Sequence, residues 1–161
     1  MEQQDSVSAE LASSWFGSGL SLHARSRLAE CASLQVVPPG TILMREGEET
    51  SLLAIVVRGR VALQMHVPER GTTTILTVEP GDVVGWSAIV PPHRSTSTAV
   101  ALEDSTLLVF ESRRLRALLD ADVALAATLY PRILEALGRR LSATRHQLLD
   151  LYAQERQVVP W

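Results

Sequence analysis

The sequence predicts a mainly β fold with helices before and after the strands. The expected architecture is a jelly roll, also called a double-stranded β-helix, and three observations lead to this class. Short β-rich runs separated by turn residues fill the middle of the chain, between residues 34 and 110. Apolar residues at helical spacing come before these runs, and a long helical tract follows them. Short strands at close intervals are typical of a jelly roll or a related β-sandwich.

Two short helices are predicted at the start of the fold, at Ala9–Ala12 and Leu20–Cys31. In the second, Ala24 and Leu28 stand four residues apart and therefore share one face of a helix. Residues 1–8 are mostly polar, and we expect them to be loose.

Eight strands are predicted from the runs that follow. Pro and Gly separate them, because these residues fix φ or tolerate positive φ and suit turns better than strands. In the fourth run, Leu63 and Met65 alternate with Gln64 and His66, which is the period of two of a strand with one buried face. The predicted strands are Leu34–Val37, Thr41–Met44, Leu52–Val57, Val61–Val67, Thr72–Val78, Val83–Trp86, Ser97–Leu102 and Thr106–Phe110.

Helices end the fold. Ser112–Leu119 is predicted to be a short helix capped by Ser112. The tract after it contains a single proline, Pro131, which removes a backbone donor and clashes with the preceding turn. We therefore expect a break near Tyr130.

Length and composition predict one globular domain. The chain has 161 residues, of which 46% are hydrophobic and 20% charged. We expect a single domain over 1–161, with helices and the β-roll in 20–120 and the C-terminal helices in 121–154. The formal net charge of -3 repels a polyanion, so direct DNA binding is not expected.

Cysteine usage and hydropathy predict the compartment. Cys31 is the single cysteine, which excludes an internal disulfide and a multi-thiolate metal site. No apolar run approaches the roughly 18 residues that a membrane-spanning helix needs. We expect a soluble, cytoplasmic protein that does not bind a membrane.

The stretch Pro80–Ile89 combines a turn with small residues at the start of a short helix. Unpaired N–H groups and the helix dipole point the same way at such a start, which favours an anion. Gly85, Ser87 and Ala88 are small enough to let an anion come close, and Arg94 follows at a short distance. Alternatively, this stretch binds no anion: Gly85 only turns the chain, and Ala88 only packs beneath it.

This stretch resembles the phosphate-binding cassette of the cyclic-nucleotide-binding domain found in the catabolite activator (CRP/FNR-like) family and in protein-kinase regulatory subunits. The resemblance covers about residues 20–150 and implies the jelly roll fold with a long C-terminal dimerisation helix. Further matching segments are Pro39–Leu43, Arg45–Glu48, Gly59 after an apolar strand, and Ala101–Ser105.

The resemblance also implies roles for single residues. In the family, N–H groups after the Gly meet the cyclic phosphate, a Glu next to that Gly binds the ribose 2′-hydroxyl, and a later Arg neutralises the phosphate. Trp86 stands at the Glu position, and its indole offers a donor but no acceptor, so it would stack on a base or plug the pocket. The Arg position falls on Ser95, and Arg94 comes one residue early. Arg94 is therefore either an anion ligand or a solvated surface charge.

The ligand that the resemblance implies is cAMP or cGMP. Near the C terminus, Gly138–Thr144 resembles the family's last helix, where a Thr matching Thr144 contacts the adenine; otherwise Thr144 only occupies a seam between helices. The candidate ligand-binding residues are Gly85, Trp86, Ser87, Ala88, Arg94, Ser95, Thr96 and Thr144.

The long helical tract carries apolar residues at alternating steps of three and four, the heptad seam of a two-helix coiled coil. This spacing favours a parallel homodimer, although such a stripe can also pack on its own domain. The predicted dimerisation residues are Leu134, Leu137, Leu141, Thr144, Leu148 and Leu151.

The residues argue against catalysis. Jelly rolls include cupin-like metal enzymes, which remain an alternative, but the sequence has no His-x-His pair, no HExxH and no G-x-S-x-G motif. No metal ligands are predicted. The four histidines are scattered at His23, His66, His93 and His146.

We therefore expect a non-catalytic, homodimeric regulatory module that binds a cyclic nucleotide weakly, a different ligand or none, and acts on an unidentified protein partner. The alternative is a transcription regulator whose DNA contact is supplied by another chain. In the family, a helix-turn-helix follows the long helix; because only residues 157–161 follow the tract here, we expect a module without one.

Overall fold

The computed structural model describes residues 2–155. Two helices, α1 (Glu2–Ser13) and α2 (Leu22–Glu30), come before the strands, and α3 (Ser112–Ala121) and α4 (Val123–Glu155) follow them. The eight strands of the described residues are β1 (Ala32–Val37), β2 (Ile42–Met44), β3 (Leu52–Arg58), β4 (Val61–Val67), β5 (Gly71–Val78), β6 (Val83–Val84), β7 (Thr98–Ala101) and β8 (Ser105–Glu111).

The strands form two four-stranded antiparallel sheets. One has the order β1-β8-β3-β6 and the other the order β2-β7-β4-β5. The crossovers between the sheets are those of a jelly roll, which confirms the fold class expected from the sequence.

The central strands of the first sheet, β3 and β8, are buried on both faces and are therefore continuous apolar runs rather than alternating ones. In β3, Ala54 and Val56 face the second sheet, whereas Leu53 and Ile55 face the helices. On the helix side they share a core with side chains of every helix, including Leu11, Leu28, Leu115, Leu129 and Ile133. This core fixes α4 against the β-roll.

The first residues differ from the expectation that 1–8 are loose. They are helical from Glu2 onward, because Val7 and Leu11 bury their side chains beside Phe16. The sequence predicted this helix only over Ala9–Ala12, and Val7, the single apolar residue of 2–8, gave no periodic signal that would have extended it towards Glu2.

Two further expectations about the helices are wrong. Glu111, not Ser112, caps α3, since its carboxylate accepts 3.0 Å hydrogen bonds from the N–H groups of Arg113 and Arg114. The break falls at Asp122 rather than near Tyr130, and α4 runs through Pro131. Pro131 lies on the exposed side, and the buried residues before and after it hold the helix together.

Candidate ligand-binding site

A cavity of ≈ 340 Å³ lies where the second sheet, the segment between β6 and β7, and α4 meet. Its size falls within the range of small-molecule sites, about 300–1,000 Å³. The lining residues are Met44, Leu63, Met65, Ile75, Leu76, Gly85, Trp86, Ser87, Ser95, Thr96, Ser97, Leu137, Arg140, Leu141 and Thr144.

The strands supply an apolar wall. Leu63 and Met65 lie two residues apart on β4, so the strand period places both on the cavity side. Hydroxyl groups from the segment between β6 and β7 and from α4 provide polar contacts. Such a mixture suits a ligand with a flat apolar body and a few hydrogen-bonding groups.

Residues 85–88, here called the cassette turn, form one turn of 3-10 helix after Gly85 rather than the end of a strand. The Ala88 N–H donates to the Gly85 carbonyl at 2.9 Å. Gly85 has a φ of 80°, and an added Cβ would clash with the Leu52 carbonyl oxygen and the Met44 side chain. The structure therefore requires glycine at this position.

The side chains of the cassette turn differ in what they face. Trp86 is half-buried and lines the cavity, which stays open beside it. Ser87 also lines the cavity, whereas Ala88 is buried outside the lining, and its carbonyl accepts a 2.8 Å hydrogen bond from Arg116.

The segment before β7 places Arg94 away from the cavity. Arg94 is exposed and donates a 2.8 Å hydrogen bond to the Gly47 carbonyl. Its neighbour Ser95 is buried, lines the cavity, and shares a 2.7 Å hydrogen bond with the Thr50 hydroxyl. Thr96 lines the cavity while remaining exposed. The one-residue offset seen in the sequence thus corresponds to opposite faces of the backbone.

Arg140 is the one charged residue in the lining that the structure describes. Its guanidinium donates a 2.5 Å hydrogen bond to the Val83 carbonyl, just before the cassette turn. Burial lowers the pKa of Arg140 from its usual range, and the Asp82 carboxylate partly opposes this effect. Arginine nevertheless keeps its charge in proteins, so the cavity holds a partly desolvated cation.

The helix side of the cavity coincides with part of the predicted seam. Leu137, Leu141 and Thr144 all line it, and the Thr144 hydroxyl donates to the Arg140 carbonyl at 2.9 Å. Leu134, Leu148 and Leu151 are exposed and outside the lining. Every side chain described from 145 to 153 is exposed and outside the lining, so this part of α4 extends beyond the body of the domain.

Sequence reasoning missed Arg140 and the apolar strand residues of the site. Arg140 is three residues beyond Leu137 and four before Thr144, so helical spacing places it close to their face. The alternation around Leu63 and Met65 showed that the two residues share one face of β4. It did not show that this face borders the cavity.

The structure also bears on metal sites and membrane-spanning helices. Within residues 2–155, no group of three or more His, Cys, Asp or Glu side chains is placed to hold a metal ion. None of the helices described in that range is both long and apolar enough to span a bilayer.

Comparison with known proteins supports the fold. The family described as "Cyclic nucleotide-binding domain" matches residues 34–122. The Pycsar effector protein XpPycTIR of Xanthomonas perforans is 27% identical over 124 residues, which cover 74% of this chain and 37% of that protein. The CRP-like cAMP-activated global transcriptional regulator of Mycobacterium tuberculosis is 26% identical over 114 residues, covering 71% of this chain and 49% of the regulator.

A crystal structure of a cyclic nucleotide-binding domain from Methylobacillus flagellatus superposes with a TM-score of 0.76 at 19% identity, covering 91% of this chain and 83% of that one. This likeness shows the fold. The chain spans less than half the length of the two curated relatives. Because the family match extends over more than half of the sequence, the chain belongs to the cyclic nucleotide-binding domain family.

Proposed function

We propose that this protein is a non-catalytic, homodimeric sensor that binds a cyclic nucleotide in the cavity and passes its ligand state to a protein partner through α4. The observation that carries the proposal is the position of the cavity. It joins the cassette turn at Gly85 to the helix at Leu137 and Thr144, so that one ligand contacts both.

The nature of the ligand is supported by the family and by one relative. The Mycobacterium tuberculosis relative is described as cAMP-activated. The apolar wall and the half-buried indole of Trp86 suit a nucleobase, since indole rings stack on bases. Because Trp86 cannot accept a hydrogen bond from a ribose hydroxyl, we expect weak affinity.

The homodimer is supported by the outer half of α4. Leu148 and Leu151 are 52% and 60% exposed on the part of α4 beyond the cavity, and Leu141, which lines the cavity, is 53% exposed. Their heptad spacing matches a second copy of the same helix in parallel orientation. Burial of this stripe against the second copy removes apolar surface from water.

Coupling between ligand and dimer follows from shared residues. Leu141 and Thr144 belong to both the cavity lining and the predicted seam. A ligand that contacts these residues binds with different affinity when α4 takes different positions. Such a difference in affinity is what allows a ligand to shift the helix from one position to another.

Calorimetric titration tests the proposal. Titrating cAMP, and separately cGMP, into the protein is expected to give saturable heat with one site per chain. Sedimentation velocity with and without ligand then measures the dimer. Absence of heat up to millimolar concentrations of both nucleotides, or a monomer under all conditions, would contradict the corresponding part of the proposal.

A second candidate function is transcription regulation through a DNA-binding partner chain, which the description of the Mycobacterium tuberculosis relative favours. The net charge of -3 predicts no retention of DNA by this protein alone. A gel shift with genomic fragments, run with and without candidate partner chains, separates the two functions.

A further inference from the structure

The cavity differs from the expected cassette in where its positive charge lies. Arg94, which the sequence offered as the anion ligand, is exposed and donates to the Gly47 carbonyl outside the lining. The charge within the described lining comes instead from Arg140 on α4. The cation therefore approaches the cavity from the helix rather than from the segment that precedes β7.

Among residues 2–155, the Arg140 guanidinium has unused donor capacity. It carries five N–H bonds, and one of them is directed to the Val83 carbonyl at 2.5 Å. A partly desolvated guanidinium gains most from an anion that restores the interactions lost with water. The remaining lining offers hydroxyls, backbone and apolar groups, and the Asp82 carboxylate, which lies outside the lining, offsets the desolvation of Arg140 only in part.

We infer that Arg140 binds the anionic group of the ligand, and that the cavity selects an organic monoanion over its neutral and its doubly charged counterparts. The inference rests on the proposed function and identifies Arg140 as the residue that recognises the negative charge of the ligand. A single cation balances one negative charge, whereas a second charge would stay uncompensated beside the apolar wall formed by Leu63, Met65 and Leu76. A cyclic phosphodiester meets this requirement, while a phosphate monoester carries about -1.5 to -2 charges near neutral pH.

The test compares cAMP, 5′-AMP and adenosine, which share one base and differ in charge. Binding to the wild-type protein and to the variants Arg140→Gln, Arg140→Lys and Arg94→Gln is measured by calorimetry at 25 °C. Circular dichroism verifies that each variant is folded at that temperature.

The expected result is a ratio of affinities. Wild-type protein binds cAMP about tenfold or more tightly than adenosine, as a charged hydrogen bond provides, and also prefers it to 5′-AMP. In Arg140→Gln, the affinity for cAMP falls to the affinity for adenosine. Arg140→Lys gives a ratio of affinities between those of Arg140→Gln and the wild type, and Arg94→Gln keeps the wild-type ratio. A merely structural role of Arg140 would weaken cAMP and adenosine together and leave their ratio unchanged.

Two results overturn the inference while the proposed function stands. One is a cAMP to adenosine ratio that survives Arg140→Gln, and the other is a ratio that is lost in Arg94→Gln. If none of the three compounds binds, the proposed ligand class fails, and dimethyl phosphate, a monoanion, decides the inference, with inorganic sulfate as the doubly charged comparison. A shift of the Arg140 Nε–H resonance on addition of dimethyl phosphate, identified by the loss of that resonance in Arg140→Lys and larger than the shift with sulfate, supports binding of a monoanion by Arg140 with a different ligand body. No shift, or a larger shift with sulfate, overturns the inference.

Discussion

Arg140 and Val83 connect the long helix to the strand that leads into the cassette turn. The Arg140 guanidinium donates a 2.5 Å hydrogen bond to the Val83 carbonyl, two residues before Gly85. On the same stretch of helix, Arg132 donates to the carbonyls of Trp15 and Phe16, at 2.8 and 3.0 Å. These contacts hold α4 on the β-roll as far as Arg140, whereas every side chain described from 145 to 153 is exposed.

Removing the Arg140 contact should destabilise the fold. Arg140→Met leaves the Val83 carbonyl without a charged donor, and we expect the free energy of unfolding to fall by about 1.5–3 kcal/mol. Arg139→Met is the matched control, because Arg139 is exposed and its ion pair with Glu135 should contribute under about 1 kcal/mol. Urea denaturation followed by circular dichroism, at one protein concentration, measures both. Equal losses would show that the Arg140 contact adds nothing.

Gly85 should tolerate no side chain. Gly85→Ala meets both a positive φ and a clash with the Leu52 carbonyl, so the loss should be about 3 kcal/mol or more. Gly40 has a φ of 82° with nothing near an added Cβ, so Gly40→Ala should show only the conformational part, about 1 kcal/mol. Thermal unfolding compares the two variants. A Gly85→Ala variant no less stable than Gly40→Ala would contradict the geometry of the cassette turn.

The outer half of α4 should control dimer formation. Leu148→Glu places a charge in the proposed seam and should convert the dimer to a monomer without changing the helical content, since Leu148 is 52% exposed within the chain. Gln147→Glu adds the same charge beside the seam and should leave the dimer intact. Sedimentation velocity reports the oligomeric state, and dissociation by both variants would point to a general charge effect.

Trp86 should set the affinity for the sugar. Trp86→Gln introduces a neutral acceptor for a ribose hydroxyl, and we expect cAMP to bind several-fold more tightly, about the value of one neutral hydrogen bond. Trp86→Glu should give a smaller gain, because its carboxylate competes with the ligand anion for Arg140. Calorimetry measures both affinities. Weaker binding by Trp86→Gln than by the wild type would contradict the prediction and show that stacking on the indole contributes more than the added hydrogen bond.

The strands were predictable because their apolar runs and turn residues are local signals. Val61–Val67 has the predicted bounds, and Gly71–Val78 begins one residue early. Tertiary packing decided the exceptions: buried neighbours keep α4 continuous through Pro131, and contacts of Val7 and Leu11 make the first residues helical.

The candidate site was predictable in its segments but not in its charge. Gly85, Ser87 and Thr144 line the cavity as the family resemblance implied. Whether Arg94 or Arg140 reaches the cavity depends on the direction of a loop and the docking of a helix. A local sequence pattern determines neither the direction of the loop nor the docking of the helix.

Hydrogen exchange with and without cAMP tests most directly whether the cavity links the cassette turn to α4. At a saturating concentration of cAMP, we predict slower amide exchange in two separate segments, 85–88 and 137–144. Protection confined to the β-roll with α4 unchanged, or no protection at millimolar cAMP, would contradict the account.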